Sequence, residues 1–263
     1  MSDRPPVPGF TADTFSHAGR THDLYYAGSG PAVIVVHELP GLHPGVIEFG
    51  QRLVDTGFTA YLPSLFGRPG QPLTNGAIAR SMARVCVSRE FTILADRTSR
   101  VVSWLRALAD RAHAECGGPG VGAVGMCFTG GFALAMAVSP AVVAPVLSQP
   151  GLPAPVSAAK RAGLGLDDRD LDQIAERTRH GLRVLGLRFS QDRGCPAERF
   201  DTLRRRLGDA FEGVEIDSSP GNPYRVPARA HAVLTVDLVD EPGHPTRAAL
   251  DRVLAYLHER LRR

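Results

Sequence analysis

The chain has 263 residues, which suits a single α/β enzyme domain, and its 43% hydrophobic content is enough for a real core. The formal net charge is only +3 and the charges are mixed along the chain, so we expect no nucleic-acid partner. No apolar run reaches the roughly 18 residues of a membrane-spanning helix, and MSDRPPVPGF carries Pro and Asp where a signal peptide needs an apolar core. We therefore predict a cytoplasmic protein that does not bind membranes.

The N-terminal half begins with an expected loose tail at residues 1–9 and then predicts alternating elements. The β-branched run AVIVV at 32–36 is typical of a strand buried on both faces of a parallel sheet. The other predictions, in chain order, are strands at 11–15 and 21–26, a helix at 46–56, a strand at 58–62, a loop at 67–76, an ambiguous helical segment at 77–90 and a helix at 92–112.

The C-terminal half continues the alternation, starting with VGAVGMCFTGG at 121–131. This stretch predicts a strand, a sharp turn and a helix starting near Gly130, with Cys127 at the tip. The elements expected after it are a strand at 142–147, a helix at 167–180, a strand at 182–189, a helix at 196–207, a strand at 213–217 and a helix at 247–261. We predict one α/β domain over 1–263, with helices on both faces of a mostly parallel sheet and an insertion or lid at 151–181.

The cysteines raise the first question of function. Cys86, Cys116, Cys127 and Cys195 form no C-x-x-C pair and have no histidines at metal-ligand spacing, so we expect reduced thiols and no metal. By itself, Cys127 fits a buried core residue as well as a nucleophile. Its position at the tip of a strand–turn–helix favours the nucleophile, whereas we interpret the other three as structural.

Candidate partners for Cys127 lie in two later loops, each at the carboxyl end of a predicted strand, where α/β sheets collect reactive groups. Cys127, Asp192 and His231 follow in the order nucleophile, acid, histidine that α/β-hydrolases use. A thiol attacks as the thiolate, so it needs a base, and an acid can orient that base. His244, His180 and His37 remain alternatives for the histidine, and Asp217 remains one for the acid.

An oxyanion hole also follows from the predicted turn. The backbone N–H of Phe128 lies beside the nucleophile in such a turn, and a second N–H is expected from the loop at 37–41, after the first buried strand. The positive end of the helix near Gly130 would favour the thiolate of Cys127.

Four stretches together resemble the dienelactone hydrolase family. They are VVHELPGLHPGVIEFGQRLVDTGFTAYLPSLFGRPG, GAVGMCFTGGFALAMA, RFSQDRGCPAERF and the loop with His231. The resemblance runs from about Ala32 to the last helix. Its most specific part is H-E-x-x-G-L after a buried strand, combined with a cysteine at the turn.

The resemblance implies an α/β-hydrolase fold and a Cys-His-Asp triad, which here is Cys127, His231 and Asp192. It also implies that Glu38 contacts the resting thiol and takes its proton when substrate binds, and that the N–H groups of Leu39 and Phe128 form the oxyanion hole. The family opens a conjugated lactone through an acyl-thioester. We expect a lactone or small ester as the small-molecule substrate, no cofactor, and a monomer or weak homodimer.

Some positions depart from the family pattern. Thr129 stands where the family usually has glycine, two residues after the nucleophile, and its Cβ must fit a crowded contact. No arginine follows His231 in the stretch 232–235, where dienelactone enzymes grip the substrate carboxylate. We take Arg84 as the candidate substrate contact, with Arg80 and Arg89 as alternatives.

These departures leave other functions open beside hydrolysis. One is acyl transfer or cyclisation in a specialised pathway, through the same acyl-thioester. The other is a catalytically silent protein that retains the pocket and binds a ligand.

Overall fold

The computed structural model describes residues 5–87, 99–151 and 157–262. Its strands are β1 (Thr11–His17), β2 (Arg20–Ala27), β3 (Ala32–Val36), β4 (Thr59–Ser64), β5 (Val121–Met126), β6 (Val142–Ser148), β7 (Val184–Phe189) and β8 (Phe211–Ile216). They form one eight-stranded sheet in the order β1-β2-β4-β3-β5-β6-β7-β8. β2 pairs antiparallel with both β1 and β4, and the pairs from β4 to β8 are parallel.

Helices cover both faces of the sheet. They are α1 (Pro44–Asp55), α2 (Asn75–Val87), α3 (Arg100–Cys116), α4 (Gly130–Met136), α5 (Ala158–Ala162), α6 (Asp168–Arg179), α7 (Ala197–Leu207) and α8 (Pro245–Leu261). One core layer packs α3, α4, α6 and α7 on the sheet, and the other packs α1 and α8 on the opposite face. The predicted α/β-hydrolase architecture is confirmed.

β3 and β5 are the two central strands of the sheet. Every residue of β3 and β5 is buried, as expected for strands with helices on both sides. At the hairpin between β1 and β2, Ala18 and Gly19 both have positive φ, which matches the right-handed twist of the two strands.

Several element ends differ from the predictions, among them the end of β4 and the limits of α2 and α3. β4 continues through Pro63 to Ser64, although proline was expected to close it. β3 pairs with β4 only from Thr59 to Tyr61, so the ladder on that side needs no N–H from Pro63. The ambiguous segment is helical as α2, and α3 begins at Arg100, while residues 92–98 of the predicted helix lie outside the described residues.

The predicted loose tail at 1–9 and the predicted insertion or lid at 151–181 both contact the rest of the fold where the structure describes them. Val7 is buried and the Tyr25 hydroxyl donates to the Pro5 carbonyl at 2.9 Å. Leu171 and Ile174 bring α6 into the core. Residues 1–4 and 152–156 lie outside the described part.

No helix within the described ranges is both long enough and apolar enough to cross a lipid bilayer.

Candidate active site

Cys127 sits on a strained turn directly after β5. Its φ is +57°, a left-handed value that is uncommon for residues other than glycine and is found at nucleophile turns. A Cβ at Gly125 would lie 2.2 Å from the Thr129 carbonyl oxygen, so the turn closes only with glycine there. The flanking Met126 and Phe128 are buried whereas Cys127 is half-buried, so the turn presents the thiol.

Thr129 fits the turn through its hydroxyl. The side chain is fully buried, and its Oγ1 accepts from the Met126 N–H at 2.9 Å and lies 2.7 Å from the carbonyl oxygens of Met126 and Val36. The hydroxyl therefore ties the turn to the end of β3. The crowding expected at Thr129 lies one residue later, because a Cβ at Gly130 would approach Pro150 to 2.8 Å.

Asp192 and His231 are joined directly. The Nδ1 of His231 donates to the Oδ2 of Asp192 at 2.7 Å, and Oδ1 accepts from the Gly194 N–H at 2.8 Å. With Nδ1 engaged, Nε2 is the nitrogen available to Cys127. Burial opposes the charge of His231, but attraction to Cys127 and the hydrogen bond with Asp192 outweigh it and raise the pKa of His231 well above its usual value.

Arg188 fixes the loop that carries Asp192. This buried side chain on β7 donates from Nε to the Cys195 carbonyl and from Nη2 to the Ser190 carbonyl, both at 3.0 Å. Its charge is paired with Glu215. Arg188 therefore holds both ends of the 190–195 loop, a role that only its charge within an otherwise apolar strand could have signalled.

The loop with His231 is held by Asp237. One carboxylate oxygen, Oδ2, accepts from the N–H groups of His231 and Ala232, both at 2.9 Å. Asp237 was not singled out from the sequence, and the signal that was available is that aspartate is a common residue of turns.

Glu38 is buried and bound by three side chains. Its Oε1 accepts from His43 Nε2 at 3.2 Å and from the Thr235 hydroxyl, and its Oε2 accepts from Gln149 Nε2 at 2.9 Å. Burial alone raises the pKa of a carboxyl, but the hydrogen bonds from His43 and Thr235 and the attraction to His43 and His231 hold the pKa of Glu38 below its usual range.

The contact between Glu38 and the resting thiol that the resemblance implies stays a prediction. Both oxygens of Glu38 are engaged by neighbours, and no hydrogen bond of the described residues joins Glu38 to Cys127. His43 and Gln149 were not singled out from the sequence. Thr235, in the stretch that lacks the arginine, donates to the carboxylate instead.

His37 is a structural residue. Its Nε2 accepts from the Leu65 N–H at 3.1 Å, so Nδ1 carries the hydrogen and donates to the Glu38 carbonyl at 3.1 Å. Burial lowers the pKa of His37 to about 4, which keeps the ring neutral near pH 7. Because the C=O and N–H of one trans peptide point in opposite directions, this bond also orients the Leu39 N–H.

The remaining alternatives for the triad have other partners. His244 caps the N-terminus of α8, His180 is exposed beside Glu176, and Asp217 accepts from the Ser219 N–H at the surface. In the described part of the chain, His231 is the histidine bound to Asp192.

The other thiols have surroundings that suit structural residues. Burial raises the pKa of Cys195, which keeps this thiol protonated. Cys116 is half-buried at the end of α3, 3.6 Å from the Tyr61 hydroxyl. The side chain of Cys86 lies outside the described residues.

Arg84 lies on α2. It is exposed and lines a surface cavity of about 520 Å³ together with Arg68 and Phe66, and Cys127 is not among the described residues that line this cavity. Arg80 is exposed on the same helix, and Arg89 lies outside the described residues. No group of His, Cys, Asp or Glu side chains within the described ranges is arranged to hold a metal.

The chain is similar to proteins of one known family. The model of the dienelactone hydrolase family matches residues 24–222. A Klebsiella pneumoniae subsp. pneumoniae MGH 78578 protein described as a dienelactone hydrolase is 21% identical with a TM-score of 0.61, covering 95% of this chain and 99% of that chain. Dienelactone hydrolase from Anabaena variabilis ATCC 29413 is 17% identical with a TM-score of 0.57, covering 98% of this chain and 100% of that chain.

A further structure is a dienelactone hydrolase-like promiscuous phosphotriesterase from metagenomic libraries. It is 18% identical with a TM-score of 0.55, covering 95% of this chain and 99% of that chain. At these identities the three structures share the fold with this chain. No curated protein matches the chain.

Proposed function

Since the chain belongs to the dienelactone hydrolase family, a family of carboxylic ester and lactone hydrolases, we propose that it hydrolyses a lactone or a small ester through Cys127. The observation that carries this proposal is the half-buried thiol on a strained turn, together with a histidine that a buried aspartate holds and whose pKa attraction to that thiol helps to raise. This combination of nucleophile, base and orienting acid is what acyl transfer to a side chain requires.

The first half of the proposed reaction forms the acyl-enzyme. His231 Nε2 accepts the thiol proton while the sulfur of Cys127 attacks the substrate carbonyl carbon, and the carbonyl electron pair moves onto oxygen. The N–H groups of Leu39 and Phe128 stabilise this oxyanion. As the C=O bond re-forms, the C–O bond to the alkoxy group breaks, and the imidazolium of His231 returns its proton to the leaving oxygen.

The second half releases the product. His231 Nε2 takes a proton from a water molecule, whose oxygen attacks the thioester carbon. The C–S bond breaks as this second oxyanion collapses, which frees the carboxylic acid and returns the proton to the thiol–imidazole pair. With a lactone, the leaving hydroxyl stays attached to the acyl chain, so the product is a hydroxy acid. With an enol lactone, the released enol tautomerises to the keto acid.

Glu38 has a different proposed role from that implied by the resemblance. Attraction to Cys127 helps to raise the pKa of His231 against the effect of burial, whereas Glu38 is engaged by His43, Thr235 and Gln149, which favours His231 as the first proton acceptor. The low pKa of Glu38 keeps it negatively charged, and its attraction to His231 favours the imidazolium that forms during catalysis.

The proposal is tested with Cys127→Ala and Cys116→Ala. Turnover of p-nitrophenyl acetate, of p-nitrophenyl butyrate and of lactones with and without a free carboxylate is measured for both variants and for the unmodified protein. We expect Cys127→Ala to lose at least about 10³-fold in kcat/KM and Cys116→Ala, which removes another half-buried thiol, to keep the original activity. Full activity in Cys127→Ala would overturn the assignment.

Mass spectrometry of the acyl-enzyme distinguishes the alternatives. An acyl adduct on Cys127 that is released only when an alcohol or amine is added would indicate acyl transfer. Tight ligand binding with neither adduct nor turnover would indicate a silent binding protein.

A further inference from the structure

Gln149 is a buried residue with a strained backbone conformation, and it has no part in the proposed reaction steps. It directly follows β6, is fully buried and has a φ of +37°. Residues with a Cβ rarely adopt a left-handed φ. A buried residue stays in that conformation where the surrounding contacts determine it. The contacts of Gln149 therefore hold its backbone in this conformation.

The side-chain amide of Gln149 joins two loops of the candidate site. Its Nε2 donates to Glu38 Oε2 at 2.9 Å, and its Oε1 accepts from the Val233 N–H at 3.3 Å and from the Ser148 hydroxyl. A carboxylate only accepts and a backbone N–H only donates, so the orientation of the amide is fixed. Val233 is two residues after His231, so the amide links the carboxylate to the histidine loop.

The backbone after Gln149 reaches the nucleophile. The Gln149 N–H donates to the Leu187 carbonyl of β7 at 2.7 Å, and the Gly151 N–H donates to the Cys127 carbonyl at 2.9 Å. Between them, the Pro150 carbonyl accepts from the buried Arg199 at 2.8 Å. The segment 149–151 thus contacts the Glu38 loop, the histidine loop and the turn at Cys127.

We propose that Gln149 is a positioning residue whose amide holds Glu38 and the His231 loop in one arrangement around Cys127. Gln149 acts through these residues and contacts no reacting atom. The inference rests on the proposed function for its effect on turnover, whereas its effect on the surroundings of the Cys127 thiol is measurable without any substrate.

The chemistry of the contacts explains why an amide is needed. An apolar side chain would leave the Val233 N–H and one Glu38 oxygen without a partner inside the protein, which is unfavourable. A carboxylate would keep the bond to Val233 but would face Glu38 with a like charge. The titratable groups around Glu38 are His43 at the start of α1, His231 in its loop and the neighbouring His37, so a change at Gln149 alters the balance among them.

The test is an exchange of the amide and the carboxylate. We compare Gln149→Leu, Gln149→Glu, Glu38→Gln and the double variant Glu38→Gln/Gln149→Glu. In the double variant, the new amide at position 38 donates to the new carboxylate at 149 and accepts from His43 and Thr235. The new carboxylate accepts from Val233 and Ser148, so every hydrogen bond is retained while the negative charge moves by one side chain.

Two readouts are used, kcat and KM on the ester and the pH dependence of iodoacetamide alkylation of Cys127. We expect Gln149→Leu and Gln149→Glu to lower kcat about 10- to 100-fold with KM within about twofold, and to shift the alkylation profile. We expect the double variant to recover at least about tenfold over Gln149→Glu and to move the profile back. Gln51→Leu, which removes a 3.0 Å glutamine–carboxylate bond to Asp55 on the surface of α1, is the matched control.

The outcomes separate this proposal from the proposed function. Unchanged kcat and an unchanged alkylation profile in Gln149→Leu would overturn the positioning role, as would a double variant no better than Gln149→Glu. If the unmodified protein hydrolyses no ester or lactone, the proposed function fails, and a shifted and then restored alkylation profile still supports the positioning role. If Gln149→Leu does not fold, the double variant decides, because it keeps all polar contacts.

Discussion

Asp192 and Glu38 are both buried carboxylates of the candidate site, but their partners come from different parts of the chain. Asp192 is 6% exposed and uses one oxygen for His231 and the other for the N–H of Gly194 in its own loop. Glu38 is 4% exposed and is bound by side chains from the start of α1, the end of β6 and the histidine loop.

This difference separates two ways of keeping a charge inside a protein. The Asp192 loop is organised mainly by its own backbone and by Arg188, and it presents one oxygen to a base. The Glu38 carboxylate is stabilised by donors that also connect three elements, so its environment depends on the packing of the whole sheet edge. We therefore expect changes on the Asp192 side to affect chemistry most and changes on the Glu38 side to affect geometry and stability as well.

The largest effect is expected when the charge of Asp192 is removed. Asp192→Asn keeps the size of the side chain but weakens the stabilisation of the His231 imidazolium, so kcat/KM should fall about 10³-fold. The pKa of His231 should fall as well, measured by NMR titration of the ring. Asp217→Asn, at an exposed carboxylate after β8, is the control. Equal activities of the two variants would contradict the role of Asp192.

A smaller loss is expected for Glu38→Gln. The amide oxygen still accepts from His43 and Thr235, but the amide nitrogen faces the donor of Gln149, and a negative charge near His231 is removed, so kcat should fall about 10²-fold. Steady-state kinetics on an activated ester checks this. A loss greater than that of Asp192→Asn would reverse the proposed order and would favour Glu38 as the proton acceptor.

Acid should destabilise the Glu38 side through His37. The pKa of His37 is about 4 in the folded protein and 6.5 is its ordinary value, so the unfolded chain binds the extra proton between these pH values. Stability from this group is complete above pH 6.5 and is lost as pH falls towards 4. Between neutral pH and about pH 5, the free energy of unfolding should drop by about 2 kcal/mol.

Urea denaturation of the unmodified protein and of His37→Asn, each at several pH values, measures this contribution of His37 to the free energy of unfolding. The asparagine amide retains a donor for the Glu38 carbonyl but does not titrate, so the pH dependence of its unfolding should be shallower. Parallel curves for the two proteins would show that the His37 ring is not the source.

The smallest effect is expected for Thr235→Val, which is nearly isosteric and removes one donor from Glu38. His43 and Gln149 still bind the carboxylate, so kcat should fall about tenfold or less, near the range of a single hydrogen bond to a charged group. The ratio of the losses in Thr235→Val and Glu38→Gln, from the same kinetic assay, measures how far the remaining donors compensate. A larger loss in Thr235→Val would contradict that compensation.

The same comparison explains how much could be predicted from the sequence. The strand AVIVV and the turn at Cys127 depend on local patterns of β-branched, small and apolar residues, and both were predicted. The pairing of Asp192 with His231 followed from a topological rule, since strand ends meet at one edge of the sheet.

The partners of Glu38 could not be predicted in this way. His43 reads as a helix cap, Thr235 as a loop residue and Gln149 as a polar residue ending a strand. Their convergence depends on side-chain directions that are set by tertiary packing, and no spacing in the sequence encodes it. The signal that was available at Gln149 was its place immediately after an apolar strand, at the edge where Cys127 lies.

Arg188 has a consequence for engineering this protein. Because it binds carbonyl groups at both ends of the 190–195 loop, the length of that loop is matched to the span of one guanidinium group. Insertions or deletions there would separate Asp192 from His231, whereas Gln191 and Arg193 have exposed side chains on either side of the buried Asp192. A mutant library that varies the residue type at 191 and 193 and keeps the loop length constant would therefore change the surface next to Asp192. The position of the Asp192 carboxylate would stay the same.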